Sequence, residues 1–136
     1  MRNCEEGIFL QPGDVLVAPI TRTLSFGTQG QVCLQDRVWP GAYRPGIETL
    51  LDEMMTAFAP QCGAIIFSGM GEDGVQACGR MRSKGMQVWT QSAESAACAT
   101  MPQAVLHAGY SNREGSPEEL AMAMCQWLEQ ERPMPA

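Results

Sequence analysis

Residues 64–91 carry the pattern that most restricts the fold, because two short apolar runs flank a glycine-rich loop and a helical stretch. The first run, residues 64–67, is continuously apolar, as expected for a strand that is covered on both faces. Residues 75–84 suit a helix that Gly85 ends, and residues 86–91 predict a second strand. A strand, a helix and a strand within about thirty residues predict a right-handed βαβ crossover and therefore a parallel arrangement.

The sequence ahead of this unit predicts a small β region followed by a helix. Residues 15–18 are apolar and predict a short strand. Two β-prone runs, residues 21–26 and 31–35, are separated by a Gly-Thr-Gln-Gly turn, which indicates a hairpin near the amino terminus. Residues 47–58 place apolar side chains at helical spacing, and Pro60 ends that amphipathic helix.

The sequence after the unit predicts two further helices. Pro102 can open a short helix that Gly109 closes. Ser116 and Glu119 have the spacing of a capping box, with Pro117 at the first helical position. The last helix carries an apolar stripe made of Leu120, Met124, Trp127 and Leu128. With 136 residues and no second block of core pattern, we expect a single domain over residues 1–136.

The acidic composition excludes several classes of partner. Nine Lys and Arg stand against fifteen Asp and Glu, for a net charge of −6. Nucleic-acid backbones and anionic membrane surfaces both require a basic footprint, so neither is an expected partner. The first twenty residues include three carboxylates and do not resemble a signal peptide. Pro60 and Gln61 interrupt the uncharged stretch at 54–71, which argues against membrane insertion and for a cytoplasmic protein.

The cysteines and the single histidine do not form a recognisable metal or redox motif. The six cysteines are 16 to 29 residues apart, which fits neither a zinc site nor a redox dithiol. In a reducing compartment such residues are usually free, small apolar side chains. We therefore expect no metal and no cofactor.

The glycine-rich loop, residues 68–74, is the strongest candidate for a functional site. It follows a buried strand at its carboxyl end, where ligands and catalytic groups gather in open α/β sheets. Asp73 lies beside a helix N-terminus, where backbone N–H groups and the helix dipole stabilise a carboxylate. It could be a simple N-cap, or it could orient an imidazole as the acid of a Ser-His-Asp triad. A phosphate site is disfavoured, because the loop lacks the Lys-Ser/Thr of a P-loop and carries two carboxylates.

Four blocks, at 12–19, 43–48, 67–74 and 91–104, resemble the CheB-type protein-glutamate methylesterases of bacterial chemotaxis. The run Phe-Ser-Gly-Met-Gly-Glu-Asp-Gly is similar to that family's Thr-Gly-Met-Gly-x-Asp-Gly signature. The other blocks resemble its Pro-Gly-x-Val-Tyr-Ile-Ala-Pro, Tyr/His-Arg-Pro-Ser-Val/Ile-Asp and Gln-x-x-x-Ser with Gly-Met-Pro-x-x-Ala patterns. The similarity runs from about residue 8 to residue 130.

This resemblance implies an α/β fold with a mostly parallel, doubly wound, Rossmann-like sheet. It also implies a serine hydrolase that removes methyl groups from glutamyl esters on chemoreceptor cytoplasmic domains and deamidates receptor glutamines. Asp73 would be the triad acid, and Gly69, Met70, Gly71 and Gly74 would line the active site. The implied partners are a methylated chemoreceptor and a receiver domain upstream.

The chain also departs from the family pattern in a way that bears on activity. The family's nucleophilic serine and catalytic histidine lie in segments ahead of the matched region, and neither is recognisable here. His107 falls where the family motif has no histidine. We therefore expect residues 1–136 to be the C-terminal portion of a catalytic domain, incomplete relative to the family, and inactive alone. The sheet edge left open would be covered by a homodimer partner or another protein.

Two other interpretations remain open at this point. The chain could be a non-catalytic remnant of the same fold that binds a receptor or a signalling partner. Independently of the resemblance, it could be a small α/β binding domain in which residues 69–74 contact a small ligand.

Overall fold

The amino-terminal part of the fold is a hairpin followed by a helix, in a computed structural model that describes residues 4–69 and 71–131. Strands β1 (Leu24–Phe26) and β2 (Val32–Leu34) pair antiparallel, which confirms the predicted hairpin with shorter strands. Helix α1 (Ile47–Phe58) has the bounds that the apolar spacing predicts.

A three-stranded parallel sheet forms the centre of the fold, with strand order β3-β4-β5. Strand β3 (Gly63–Ile66) leads through α2 (Val75–Ser83) into β4 (Gln87–Gln91), as the predicted βαβ unit requires. From β4 the chain continues through α3 (Thr100–His107) to β5 (Arg113–Gly115). The α/β class and the parallel sheet are therefore confirmed.

Helices cover both faces of this sheet, as a doubly wound fold requires. Val88 and Trp89 are neighbouring residues of β4, so their side chains point to opposite faces of the sheet. Both side chains are buried. Val88 packs in the cluster that holds Met81 of α2 and Val105 of α3. Trp89 packs on the other face against Leu120 of α4 (Pro117–Glu131). None of the helices described here has the length and apolarity needed to cross a bilayer.

One predicted strand does not form as a continuous strand, and one observed strand is not predicted. No continuous strand forms over residues 15–18: Leu16 and Ala18 pack on the hairpin cluster, while Val15 and Val17 are exposed. The alternation of an extended chain is present there, but a continuous strand also needs a hydrogen-bonded neighbour along its length. Strand β5 is not predicted by the sequence, because its three residues carry no apolar pattern and pairing with β4 alone defines it.

The start of α4 matches its prediction, and its apolar stripe matches only in part. The Ser116 N–H donates to Glu119 Oε1 at 2.9 Å, and the Glu119 N–H donates to Ser116 Oγ at 3.2 Å, which confirms the capping box. Leu120 is buried, whereas Met124 is 41% exposed and Leu128 48% exposed. The sheet beneath α4 stops at β3, so the strand layer does not extend under the whole stripe.

Candidate functional site

The glycine-rich loop lies at the carboxyl edge of the parallel sheet and is fixed there by hydrogen bonds to the segment between β4 and α3. The Ser68 N–H donates to Gln91 Oε1 at 2.8 Å. The Gly69 N–H donates to the Cys98 carbonyl at 2.9 Å, and the Met101 N–H donates to the Gly69 carbonyl at 3.0 Å. These bonds hold the loop between the end of β4 and the start of α3. This is the edge of an open α/β sheet at which ligands usually bind.

The carboxylate of Asp73 caps α1. Its Oδ2 accepts a hydrogen bond from the Ile47 N–H at 2.7 Å, and its Oδ1 accepts one from the Glu48 N–H at 3.3 Å. The residue at the N-cap of α1 is Gly46, which has no side chain to do this. Asp73 therefore supplies from another segment the acceptor that the first N–H groups of a helix require.

The simple N-cap interpretation of Asp73 is thus right about capping and wrong about the helix. The N-cap of α2, the helix that comes after the loop, is Gly74 with φ +93°, and no side chain caps it there. The αL conformation at Gly74 turns the chain so that the Asp73 carboxylate points to α1. Sequence spacing could not show this, because the two segments are far apart along the chain.

Glu48 makes the reciprocal contact from the first turn of α1. Its Oε1 accepts a hydrogen bond from the Ala77 N–H in the first turn of α2 at 3.0 Å. Its other oxygen pairs with Arg80, which also contacts Asp52 at 2.9 Å. The N-termini of α1 and α2 are therefore held together by two carboxylates, one from each side.

Three of the four residues expected to line the site are described, and at two of them, Gly71 and Gly74, a neighbouring side chain lies too close to admit a Cβ, whereas Gly69 has ordinary van der Waals spacing. A Cβ on Gly69 would lie 3.5 Å from Met101 Cε, and one on Gly71 would lie 2.9 Å from the Tyr43 hydroxyl. At Gly74 it would lie 2.6 Å from Ile47 Cγ2. Met70 lies outside the described residues.

The only histidine of the sequence is not part of this site. His107 is exposed and is the last residue of α3. That helix begins beside Gly69, so His107 lies about 10 Å along the helix axis from the loop. No group of three metal-ligating side chains occurs among the described residues. The site therefore holds a fixed carboxylate with no imidazole beside it.

A perturbed thiol, which the sequence pattern does not reveal, lies at the same edge. Cys98 lies two residues before α3, and hydrogen bonds from the backbone and then the side chain of Thr100 lower the pKa of its thiol. Burial, followed by the charge of Glu48, raises the pKa of the Cys78 thiol to about 11. The sequence does contain one signal for the lowered pKa of Cys98, because this cysteine lies just ahead of a predicted helix N-terminus.

Comparison with known proteins gives one family. The family model described as CheB methylesterase matches residues 1–124. A protein-glutamate methylesterase/protein-glutamine glutaminase 3 from Anaeromyxobacter dehalogenans (strain 2CP-C) is 33% identical over 93% of this chain and 37% of its own length. Protein-glutamate methylesterase FrzG from Myxococcus xanthus is 26% identical over 92% of this chain, again 37% of that protein.

A solved structure agrees with the family match. The crystal structure of the Thermotoga maritima CheB methylesterase catalytic domain superposes with a TM-score of 0.77 at 27% identity. The superposition covers 88% of this chain and 67% of that catalytic domain. The two curated relatives above are longer proteins, and this chain spans 37% of the length of each.

Proposed function

This chain belongs to the CheB methylesterase family, and on that premise we propose that it forms part of the catalytic domain of a chemotaxis protein-glutamate methylesterase. In that domain Asp73 is the acid of a Ser-His-Asp triad. The substrate is a glutamyl methyl ester on a chemoreceptor cytoplasmic domain, and receptor glutamine is a second substrate. The enzyme acts in the cytoplasm, and a receiver domain upstream is its regulatory partner.

The observation that carries this proposal is the setting of the Asp73 carboxylate. It lies at the carboxyl edge of a parallel sheet, half-buried, and two backbone N–H groups of α1 fix its orientation. A carboxylate has about four acceptor positions, so these two bonds leave room for the N–H of an imidazole. The capping bonds and the α1 dipole stabilise the negative charge that an imidazolium would need beside it.

The chemistry follows from the family reaction. A serine attacks the ester carbonyl while the histidine takes its proton, and methanol leaves with that proton returned. Water then hydrolyses the acyl-enzyme by the same route, while backbone N–H groups stabilise the oxyanion. Asp73 holds the imidazole in one orientation and tautomer throughout.

The proposal takes neither the nucleophile nor the base of the triad from the described residues. Ser68 is the serine of the glycine-rich loop, but its Oγ donates to the Cys98 carbonyl at 3.2 Å and accepts from the Cys98 N–H at 2.8 Å. It is therefore held by backbone and has no base beside it. His107 is at the far end of α3. We expect the 136-residue polypeptide alone to be inactive.

The test is methanol release from a methylated chemoreceptor cytoplasmic domain. The chain alone should release none above the buffer rate, because one member of a triad retains little of the effect of three. Methanol release by the chain alone would contradict the proposal that the serine and the histidine of the triad lie outside residues 1–136.

The hydrogen bonds from the Asp73 carboxylate to α1 also favour a second candidate function. Both oxygens of Asp73 already serve α1, so the carboxylate has a structural use without any histidine. A non-catalytic module that binds a receptor or signalling partner would keep such a residue. The intact mass of the native protein in its source cells separates the two. A longer species with serine and histidine segments supports the esterase, and a 14.8 kDa species supports the binding module.

A further inference from the structure

The orientation of the Asp73 carboxylate depends on where α1 begins. Its Oδ2 accepts a hydrogen bond from the Ile47 N–H at 2.7 Å, and its Oδ1 accepts one from the Glu48 N–H at 3.3 Å. Both N–H groups belong to the first turn of the helix, where no intrahelical acceptor is available to them. A shift or a rotation of α1 therefore moves both donors and the carboxylate that they hold.

Glu48 contacts Asp73 and the helix that follows Asp73 at the same time. Its backbone N–H binds the carboxylate, while its side-chain Oε1 accepts a hydrogen bond from the Ala77 N–H at 3.0 Å. Ala77 lies in the first turn of α2, only four residues after Asp73 along the chain. The other carboxylate oxygen of Glu48 pairs with Arg80 of α2. Glu48 thus fixes the start of α1 to the segment that carries Asp73.

A neighbouring ion pair joins the same two helices without reaching the loop. Asp52 lies one turn further along α1 and contacts Arg80 at 2.9 Å, and both of these side chains are exposed. An exposed pair of this kind contributes little to stability. Removing Asp52 therefore loosens one contact between α1 and α2 but leaves the bonds of Asp73 and Glu48 to the helix N-termini in place.

We propose that Glu48 is a positioning residue for Asp73, and that its bond to α2 holds the Asp73 carboxylate in the orientation that the imidazole of the triad requires. This inference rests on the proposed function. The part that matters is the acceptor oxygen at Oε1, which a glutamine also provides. Catalysis is sensitive to such contacts, because a displacement of about 1 Å caused by a remote substitution can reduce the rate about 10²-fold.

The first test is the turnover of a methylated chemoreceptor domain by the complete catalytic domain. Glu48→Ala removes the acceptor and should lower kcat about tenfold or more, with KM changed less than about twofold. Glu48→Gln keeps the acceptor and should restore most of kcat, and Asp52→Ala should change it less than about twofold. The Glu48 side chain is 34% exposed, so its removal leaves no core cavity and the domain should stay folded, as circular dichroism can verify.

The second test measures the order at Asp73 without any activity, by amide hydrogen exchange in residues 1–136. The Ile47 amide is a direct reporter because it donates to Asp73 Oδ2. Glu48→Ala should speed its exchange about tenfold or more, since this bond then opens locally, whereas Glu48→Gln and Asp52→Ala should change it less than about twofold. Asp73→Ala gives the rate expected when the bond is absent.

Several results would overturn the positioning role. They are an unchanged kcat in Glu48→Ala, an unchanged exchange rate at Ile47 in that variant, an equal loss of kcat in Asp52→Ala, and a failure of Glu48→Gln to restore turnover. The two tests also separate this inference from the proposed function. If the complete domain releases no methanol while the Ile47 amide responds as expected, the proposed function is wrong and the ordering of Asp73 by Glu48 stands.

Discussion

Asp73, which leads into α2, caps α1, and Glu48, in the first turn of α1, caps α2. The four atoms involved define the contact: Asp73 Oδ2 to Ile47 N at 2.7 Å and Glu48 Oε1 to Ala77 N at 3.0 Å. Each carboxylate meets a helix N-terminus, where the dipole adds to the hydrogen bond. The glycine-rich loop and the start of α1 therefore behave as one unit.

The reciprocal caps predict coupled stability effects. Asp73→Ala and Glu48→Ala should each lower the free energy of unfolding by about 1–2 kcal/mol. The double variant should lose less than the sum, because each cap helps to hold the helix pair on which the other depends. Urea denaturation measures all three. Asp52→Ala is the control: its Arg80 ion pair is exposed, so its loss should be about 0–1 kcal/mol. Strict additivity would contradict the coupling.

Two glycines with the same backbone conformation should respond differently to alanine. Gly74 and Gly85 have φ of +93° and +83°, so Ala at either position costs about 1–2 kcal/mol for the left-handed conformation. At Gly85 nothing lies within 4 Å of the added Cβ, whereas at Gly74 Ile47 Cγ2 lies at 2.6 Å. Gly74→Ala should therefore lower the melting temperature clearly more than Gly85→Ala. Equal shifts would show that α1 moves aside freely.

The thiols should differ in reactivity toward iodoacetamide near neutral pH. Hydrogen bonds from Thr100 lower the pKa of Cys98, which increases its thiolate fraction, so it should alkylate readily. Cys78 is fully buried and its pKa is raised to about 11, so it should stay unlabelled until the protein unfolds. Thr100→Val removes the side-chain bond and should slow labelling of Cys98, as read by peptide mass spectrometry. An unchanged rate would contradict this assignment.

The capping box of α4 predicts a pH dependence. Hydrogen bonds from the backbone and side chain of Ser116 lower the pKa of Glu119 from its ordinary value. A carboxyl group with a lowered pKa in the folded state adds stability above its unfolded pKa, and this is lost as pH falls through the folded value. Glu119→Gln should therefore flatten the decline of the melting temperature between about pH 5 and 3. A decline of unchanged slope would show that other carboxylates cause it.

The sequence could place the site at the carboxyl edge of a parallel sheet, but it could not supply the site's contacts. Helix α1 and the βαβ unit follow from local spacing, because apolar residues recur at helical positions along 47–58 and Pro60 and Gly85 mark the helix ends. The partner of Asp73 is Ile47, 26 residues earlier, and only the tertiary fold brings them together. Strand β5 escapes prediction for the same reason, since its polar residues become a strand only by pairing with β4.

The apolar stripe of α4 is the reverse case, because the sequence pattern predicts a buried stripe that the described fold buries only in part. Met124 and Leu128 have the spacing of core residues, yet they are 41% and 48% exposed. The apolar stripe of a surface helix normally packs against another part of the protein, which buries it.

The most direct test of the account is ester hydrolysis by the complete catalytic domain of which we propose this chain to be part. Methanol release from a glutamyl methyl ester should require that complete domain, and residues 1–136 alone should release none. Asp73→Asn should reduce turnover by the complete domain about 10³-fold or more while the domain stays folded. Glu48→Gln, which alters the neighbouring cap and not the triad, should retain most of the turnover. Activity of residues 1–136 alone, or turnover that Asp73→Asn leaves unchanged in a folded domain, would contradict the account.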